Sequence, residues 1–278
     1  MPRKTQPPTE EKAAEVVVEA VKTAVPVAEE VKAEIIPTVV VEAPMGVLTE
    51  KAFDKEAWQP KTSLGQKVKS GEISNIDQIL DAGFPILEAS IVDALLPNLE
   101  SDLLAIGQSK GKFGGGKKSI WRQVQKKTAE GNKPSFAALV VIGNKNGYVG
   151  MGYGKARETL PAREKGVRKS KLNMIKIQRG CGSWECGCGG NHSIPCKIIA
   201  KCGSCVVELL PAPKGTGLAM EKEAAKILAL AGIKDIYSRT YGQTRTKLNH
   251  VKAVFEALRL LSQIKIPQGK KEMVKGHE

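Results

Sequence analysis

The stretch SFAALVVIG, NKNG, YVGMGYG, residues 135–154, narrows the fold more than any other part of the chain. Its first segment is an apolar run rich in β-branched residues, the composition of a strand with much of its surface buried. The turn Asn144–Gly147, with its Asn-Gly pair, predicts a hairpin, so the strand that follows runs antiparallel. Gly150, Gly152 and Gly154 alternate along that second strand and remove side chains where another backbone must come close. Upstream, IWRQVQKK at 120–127 and a turn at Glu130–Pro134 add a third strand, predicting a three-stranded antiparallel meander. A helix over about 158–172 follows, with Thr159 as N-cap and Pro161 in the first turn, where proline is tolerated.

The same glycines exclude two nucleotide-binding readings. Gly147, Gly150, Gly152 and Gly154 before Lys155 do not spell G-x-G-x-x-G and lie along an antiparallel strand. In GKFGGGKKS at 111–119, Lys118 stands where a P-loop needs Ser or Thr for magnesium.

Beyond residue 180 the pattern restarts. IPCKIIAK and CVVELLP predict two strands, PAPKGTG a turn, MEKEAAKILALAG a helix closed by Gly232, and IKDIYS a short strand. In KLNHVKAVFEALRLL, Val251, Val254, Phe255, Leu258 and Leu261 recur at the spacing of one buried helix face. Two α+β units joined near residue 180 is the economical architecture. On the N-terminal side, residues 58–83 predict short helices, the second capped by Ser74 and ended by Gly83. Residues 1–46, built mainly from Ala, Val, Glu, Lys, Pro and Thr, read as a low-complexity disordered tail, and 107–118 as a Gly/Lys insert.

Charge selects the partner. The chain is +14 overall while the 1–46 tail is −3, so residues 47–278 carry +17. Two segments, 107–133 and 155–179, hold +14 of that, which points to a polyanion, nucleic acid ahead of anionic lipid. Aromatics at 4% are too few for extensive base-stacking platforms. No apolar run is long enough to span a membrane, no basic amphipathic helix carries bulky anchors, and no secretory signal is legible, so the expected setting is cytoplasmic.

In a reducing cytosol the cysteines of GCGSWECGCGGNHSIPC, residues 180–196, are not expected to form disulfides. Cys181, Cys186 and Cys188, completed by Cys202 or, in its place, by His192 or Cys205, would satisfy tetrahedral zinc. Reduced thiols in a glycine-shaped turn explain the pattern equally well, so no cofactor follows beyond a candidate structural zinc. No nucleophile with a base partner and no paired acids stand out, which argues against an enzyme.

Residues 134–180, HSIPCKIIAKCGSCVVELLPAPKGTGLA and LALAGIKDIYSRTYGQTRTKLNHVKAVFEALRLL together resemble the universal small-subunit ribosomal protein family called S-five in bacteria and S-two in eukaryotes. The likeness runs from about residue 58 to 266, and GCGSWECGCG resembles its archaeal branch. It implies an α+β fold: a double-stranded-RNA-binding-like domain of three antiparallel strands and a helix at 102–178, then a two-layer α+β domain at 194–266. In the second, a βαβ crossover would be left-handed, against the usual rule. Residues 47–101 would be a helical extension, 179–193 a linker loop and 267–278 a basic tail.

The resemblance further implies a structural constituent of the small subunit that binds its rRNA, neighbours the ribosomal proteins S-four and S-eight and the mRNA entrance, and supports translational accuracy. By position, the family's RNA-contacting hairpin falls at Gly131–Phe136. Phosphate contacts are expected from Lys126, Lys127, Lys133, Lys145, Lys155, Arg157, Arg168, Lys169 and Lys171, with Gly152 and Gly154 allowing close backbone approach. The alternatives are a zinc-dependent RNA-processing enzyme and a non-ribosomal RNA-binding protein.

Overall fold

A computed structural model of the chain describes residues 55, 57–109, 111 and 118–264. The 1–46 tail, the body of the Gly/Lys insert and the 267–278 tail lie outside the described residues.

The long apolar run forms β3 (Gly131–Gly143) and the glycine-rich run β4 (Tyr148–Ala156), paired antiparallel with Ala138 opposite Gly154 and Ile142 opposite Gly150. The sheet has five strands where the sequence predicts three. β1 (Glu100–Leu104) and β2 (Arg122–Thr128) pair one after the other along the same edge of β3, and β5 (Met174–Lys176) closes the far edge against β4. The β2–β3 turn is tighter than predicted: Gly131 already pairs with Thr128, and Pro134 lies within β3.

One face of this sheet carries α4 (Thr159–Leu172), whose N-cap is Glu158 rather than Thr159. Here the alternating glycines act. A Cβ on Gly150, Gly152 or Gly154 would stand closer than 3.0 Å to the backbone oxygens of Ser170, Gly166 and Ala162 respectively. Two strand residues advance about 6.8 Å and four helix residues about 6.0 Å, so a two-residue glycine period meets a four-residue helix period. Strand and helix backbones therefore touch along three successive steps.

Beside α4, three short helices cover the same face: α1 (Ser63–Ser70), α2 (Ile76–Asp81) and α3 (Ala89–Leu95). Ile76, Ile79, Ile91 and Val92 are buried there against Val140, Ile142 and Met174. The N-cap of α2 is Asn75, one residue beyond the predicted Ser74. Thr62 caps α1 by accepting a hydrogen bond from the Gly65 N–H at 3.1 Å.

The second half builds a four-stranded sheet in the order β6 (Ile198–Cys202), β7 (Cys205–Pro211), β9 (Ile236–Tyr241), β8 (Leu218–Ala219). β8 runs parallel to β9, so α5 (Lys222–Ala231) is the crossover between them. The last helix, α6 (Lys247–Gln263), buries Val251, Val254, Phe255, Leu258 and Leu261 as its periodicity predicts.

The two halves share a core. Leu104, Leu139, Val141 and Val149, on the face of the first sheet away from α4, cluster with Ile227, Leu228, Val254 and Leu258 of the second half. The β3–β4 turn completes the seam: the N–H groups of Lys145 and Gly147 donate to Leu230 O (2.8 Å) and Ala231 O (3.0 Å) at the end of α5. Those carbonyls are among the last-turn acceptors that a helix leaves unsatisfied.

Glu221 ties the starts of α5 and α6 together, accepting from His250 Nδ1 at 2.6 Å and pairing with Lys247 Nζ at 2.8 Å. Burial alone would raise its carboxyl, but the His250 hydrogen bond and Lys247 outweigh that and hold it below the usual glutamate range. A carboxylate depressed in the folded state stabilises above its unfolded pKa, and that contribution is lost as pH falls through the folded value. Glu221→Gln should therefore lower the urea midpoint at pH 7 by the equivalent of about 1–2 kcal/mol. The difference between variant and parent should shrink below about pH 4.

Candidate nucleic-acid interface

β3 is longer than the strand on its other side. Pairing with β4 ends at Phe136, so Gly131–Ser135 pair only with β2 and project as a two-stranded arm. Arg122 through Lys127 and Gly131 through Pro134 are all exposed. Pro134 sits where the second edge of β3 is open, a place where proline tends to occur because an N–H is dispensable.

On this arm the pleat sorts the cations. Lys126 lies directly opposite Lys133, and Arg122, Ala137 and Lys155 occupy one row across three strands. Alternation places all four cations on one face, with Lys127 on the other. Like charges directly across a strand pair are destabilising. Glu130 relieves part of this by pairing with Lys133 at 2.6 Å, and an anion on that face would relieve the rest. Arg122 is a member of this face beyond the lysines expected from sequence, and its even-numbered spacing from Lys126 in a strand is the signal for it.

The outward face of α4 is the second basic surface. Lys165, Arg168 and Lys169 are exposed at i, i+3 and i+4, and Arg157 is exposed just before the helix. Lys165 joins the expected Arg168 and Lys169 through that spacing. α4 starts close after the end of β4, where the arm departs, so arm and helix begin at one end of the sheet.

Three predicted contact residues, Lys171, Gly152 and Gly154, are corrected. Lys171 turns inward: it is 8% exposed and its ammonium pairs with Asp93 of α3 at 2.9 Å, so it is withdrawn from the outer face. Gly152 and Gly154 are buried under α4, and the backbone that comes close to them is the protein's own. Lys145 is not contradicted: its side chain is exposed and ion-pairs with the exposed Glu100, while its main chain serves the seam. With Arg179, Lys214 and Lys234 it lines a cavity of about 800 Å³ at that seam, with Cys188 and His192 also on the wall.

The cysteine loop is closed at its base by the bridge between Gly180 and Ser193, with N–H to O distances of 2.9 and 3.1 Å. Within it, one ligand atom from each of Cys181, Cys186, Cys188 and His192 lies within 4.8 Å of every other. His192 Nε2 is 3.1 Å from Cys188 Sγ and 3.9 Å from Cys186 Sγ. Burial pushes the Cys181 thiol up to about 11. A hydrogen bond from the Lys214 backbone, with others from Cys188, brings Cys186 down to about 6. The crowded thiols therefore ionise unequally.

Cys202 and Cys205 do not join this group. They face each other across the β6–β7 hairpin, and Cys205 Sγ lies 2.9 Å from Gln243 O as a donor. Their C-x-x-C spacing is that of a two-residue turn, with Gly203 at φ +62° inside it. His192, not Cys202, is the fourth member.

Two family models match the chain: Ribosomal protein S5, N-terminal domain, over residues 120–178, and Ribosomal protein S5, C-terminal domain, over residues 200–272. The small ribosomal subunit protein uS5 of Nanoarchaeum equitans is 51% identical over 211 residues, covering 76% of this chain and 90% of that one. Its counterpart in Methanocaldococcus jannaschii is 49% identical over 210 residues, with the same coverages. That of Methanosphaera stadtmanae is 48% identical over 213 residues, 77% of this chain and 87% of its own.

Proposed function

Because the chain belongs to the ribosomal protein S5 family, we propose that the β2–β3 arm and the outer face of α4 hold small-subunit rRNA by its phosphates. The protein is a structural constituent of the small ribosomal subunit, an RNA-binding component of the translation machinery and not an enzyme. One observation carries the interface: Lys126 and Lys133 stand directly opposed on an exposed arm, in a row system that also brings Arg122 and Lys155 to that face. Such a surface follows the charged groove edges of an RNA helix and reads shape more than base identity. Lys127 and the α4 residues Lys165, Arg168 and Lys169 add cations on the opposite, α4-bearing side of the sheet, with Arg157 just before that helix.

In the assembled subunit this chain lies in the cytoplasm, on the ribosome. It neighbours S-four and S-eight beside the mRNA entrance, where it supports accurate decoding. The likeness to the S-five family supports that placement.

Binding to purified small-subunit rRNA across a salt series tests the interface. The Lys126→Ala/Lys133→Ala double variant should lower the slope of log K against log salt by about 1.5 and weaken binding about tenfold or more near 0.1 M salt. The triple variant Lys165→Ala/Arg168→Ala/Lys169→Ala should act in the same direction. An unchanged slope in both folded variants would remove these surfaces from the interface.

A further inference from the structure

We propose that Cys181, Cys186, Cys188 and His192 form a closed structural zinc site, with Asp235 as the positioning residue that fixes the His192 ring, so that the metal fastens the linker to the second half of the fold. The proposal is independent of RNA binding.

The donor set is three sulfurs and one imidazole nitrogen, a combination found in structural zinc sites. Around a tetrahedral zinc with ordinary bond lengths, sulfur–sulfur and sulfur–nitrogen edges are about 3.6–3.8 Å. The 3.1 and 3.9 Å separations from His192 Nε2, and the 4.8 Å limit over the whole set, bracket those edges. Four protein ligands leave no open position, so the site would stabilise rather than catalyse.

The imidazole is already aimed. His192 Nδ1 lies 2.8 Å from Asp235 Oδ2, leaving Nε2 to face the thiols. Asp235 is itself held: its Oδ1 accepts from the Gly215 and Gly217 N–H groups at 3.1 and 2.8 Å. The His192 carbonyl accepts from the N–H groups of Lys234 and Asp235 at 2.8 and 3.1 Å. A carboxylate behind a metal-binding histidine is the usual outer-shell arrangement, and its loss typically costs ten- to a hundredfold in affinity.

Beyond the backbone hydrogen bonds at its base, the loop has no apolar core of its own. No residue from Cys181 to Asn191 is buried, and Trp184 is 91% exposed. A segment with no apolar core of its own whose soft ligands nonetheless converge is the situation in which metal binding supplies folding free energy. Tetrahedral sulfur and nitrogen ligation favours zinc over harder cations, and a complete set of four cysteines, the usual requirement of an iron–sulfur cluster, is absent from this loop.

The test uses the full chain, purified under reducing conditions. Elemental analysis should find one zinc per chain, and cobalt added to metal-stripped protein should give the intense visible bands and thiolate charge transfer of a tetrahedral site. Cys188→Ser and His192→Ala should abolish stoichiometric zinc. Cys202→Ser should retain it. Asp235→Asn should retain it with affinity lowered about ten- to a hundredfold against a chromophoric chelator. The proposal fails if folded, reduced parent protein takes up no stoichiometric zinc, or if cobalt enters an octahedral oxygen-ligated site. Zinc that survives Cys188→Ser, or disappears in Cys202→Ser, overturns the ligand set. Where a variant does not fold, the cobalt titration of the parent chain decides.

Discussion

Gly152→Ala should destabilise the protein by about 3 kcal/mol, a large part of the 5–15 kcal/mol that holds a typical domain. The added methyl would come closer than 3.0 Å to Gly166 O, Ser170 N and Lys169 C, all backbone atoms of α4. No rotamer change relieves such a clash, so the helix has to lift from the strand or the strand has to bend. Lifting α4 also pulls Val167 and Leu172 away from the cluster built around Val140, Ile142 and Met174. Gly111→Ala, where a Cβ meets nothing within 4 Å, should stay within about 0.5 kcal/mol of the parent. Urea unfolding of the three proteins measures both effects. Parent-like stability for Gly152→Ala would mean that strand and helix do not touch by their backbones. Because α4 carries Arg168 and Lys169, the variant should also bind rRNA more weakly when assayed under conditions where it is still folded.

The second large effect is expected at the seam. Gly232, at φ +82°, occupies the left-handed region that a side chain disfavours, and it ends α5. A Cβ there would also come closer than 3.0 Å to Lys145 O and C. Gly232→Ala thus combines backbone strain with a collision against the β3–β4 turn, and we expect a cost of about 3–4 kcal/mol. The N–H groups of Lys145 and Gly147 would lose their acceptors on α5, and the shared core would loosen along Leu139, Val141 and Val149. A single cooperative unfolding transition should broaden or divide in two, read by comparing near-UV and far-UV signals. Gly143→Ala isolates the steric part, because its Cβ would meet Leu230 O and C without a left-handed dihedral. If Gly143→Ala is harmless while Gly232→Ala is not, the strain at the helix end dominates and the seam is softer than drawn.

What could be read from the amino-acid order divides along physical lines. β3, β4 and α6 carry long, regular patterns, and each is found where its period places it. β1 and β5 escaped notice because Glu100–Leu104 and Met174–Lys176 are short and mixed in polarity. Their partners, not their composition, make them strands. α4 was legible as a helix, yet its inner face was not, since the residues it buries are Ala162, Gly166, Ser170 and Lys171. A helix that packs by backbone contact needs small residues and shows no apolar stripe. That is why Lys171 was grouped with the outward lysines.

The same limit applied to the cysteines. C-x-x-C at 202–205 has the spacing of a zinc knuckle, but a two-residue hairpin turn produces that spacing without a metal. His192 owes its place to Asp235, forty-three positions away in the chain, a pairing no local pattern reveals. The arm showed the reverse situation: the basic residues were evident, and only the strand register revealed which of them share a face.

The shared core has a consequence for synthesis. Leu139, Val141 and Val149 are complete strand positions long before α5, at 222–231, exists to cover them. At elongation rates of about 5–20 residues per second, the nascent first sheet waits for several seconds with one apolar face open. During that interval the open apolar face is available to pair with another chain. A truncation ending before α5 should therefore accumulate as aggregate rather than as a half-size soluble domain.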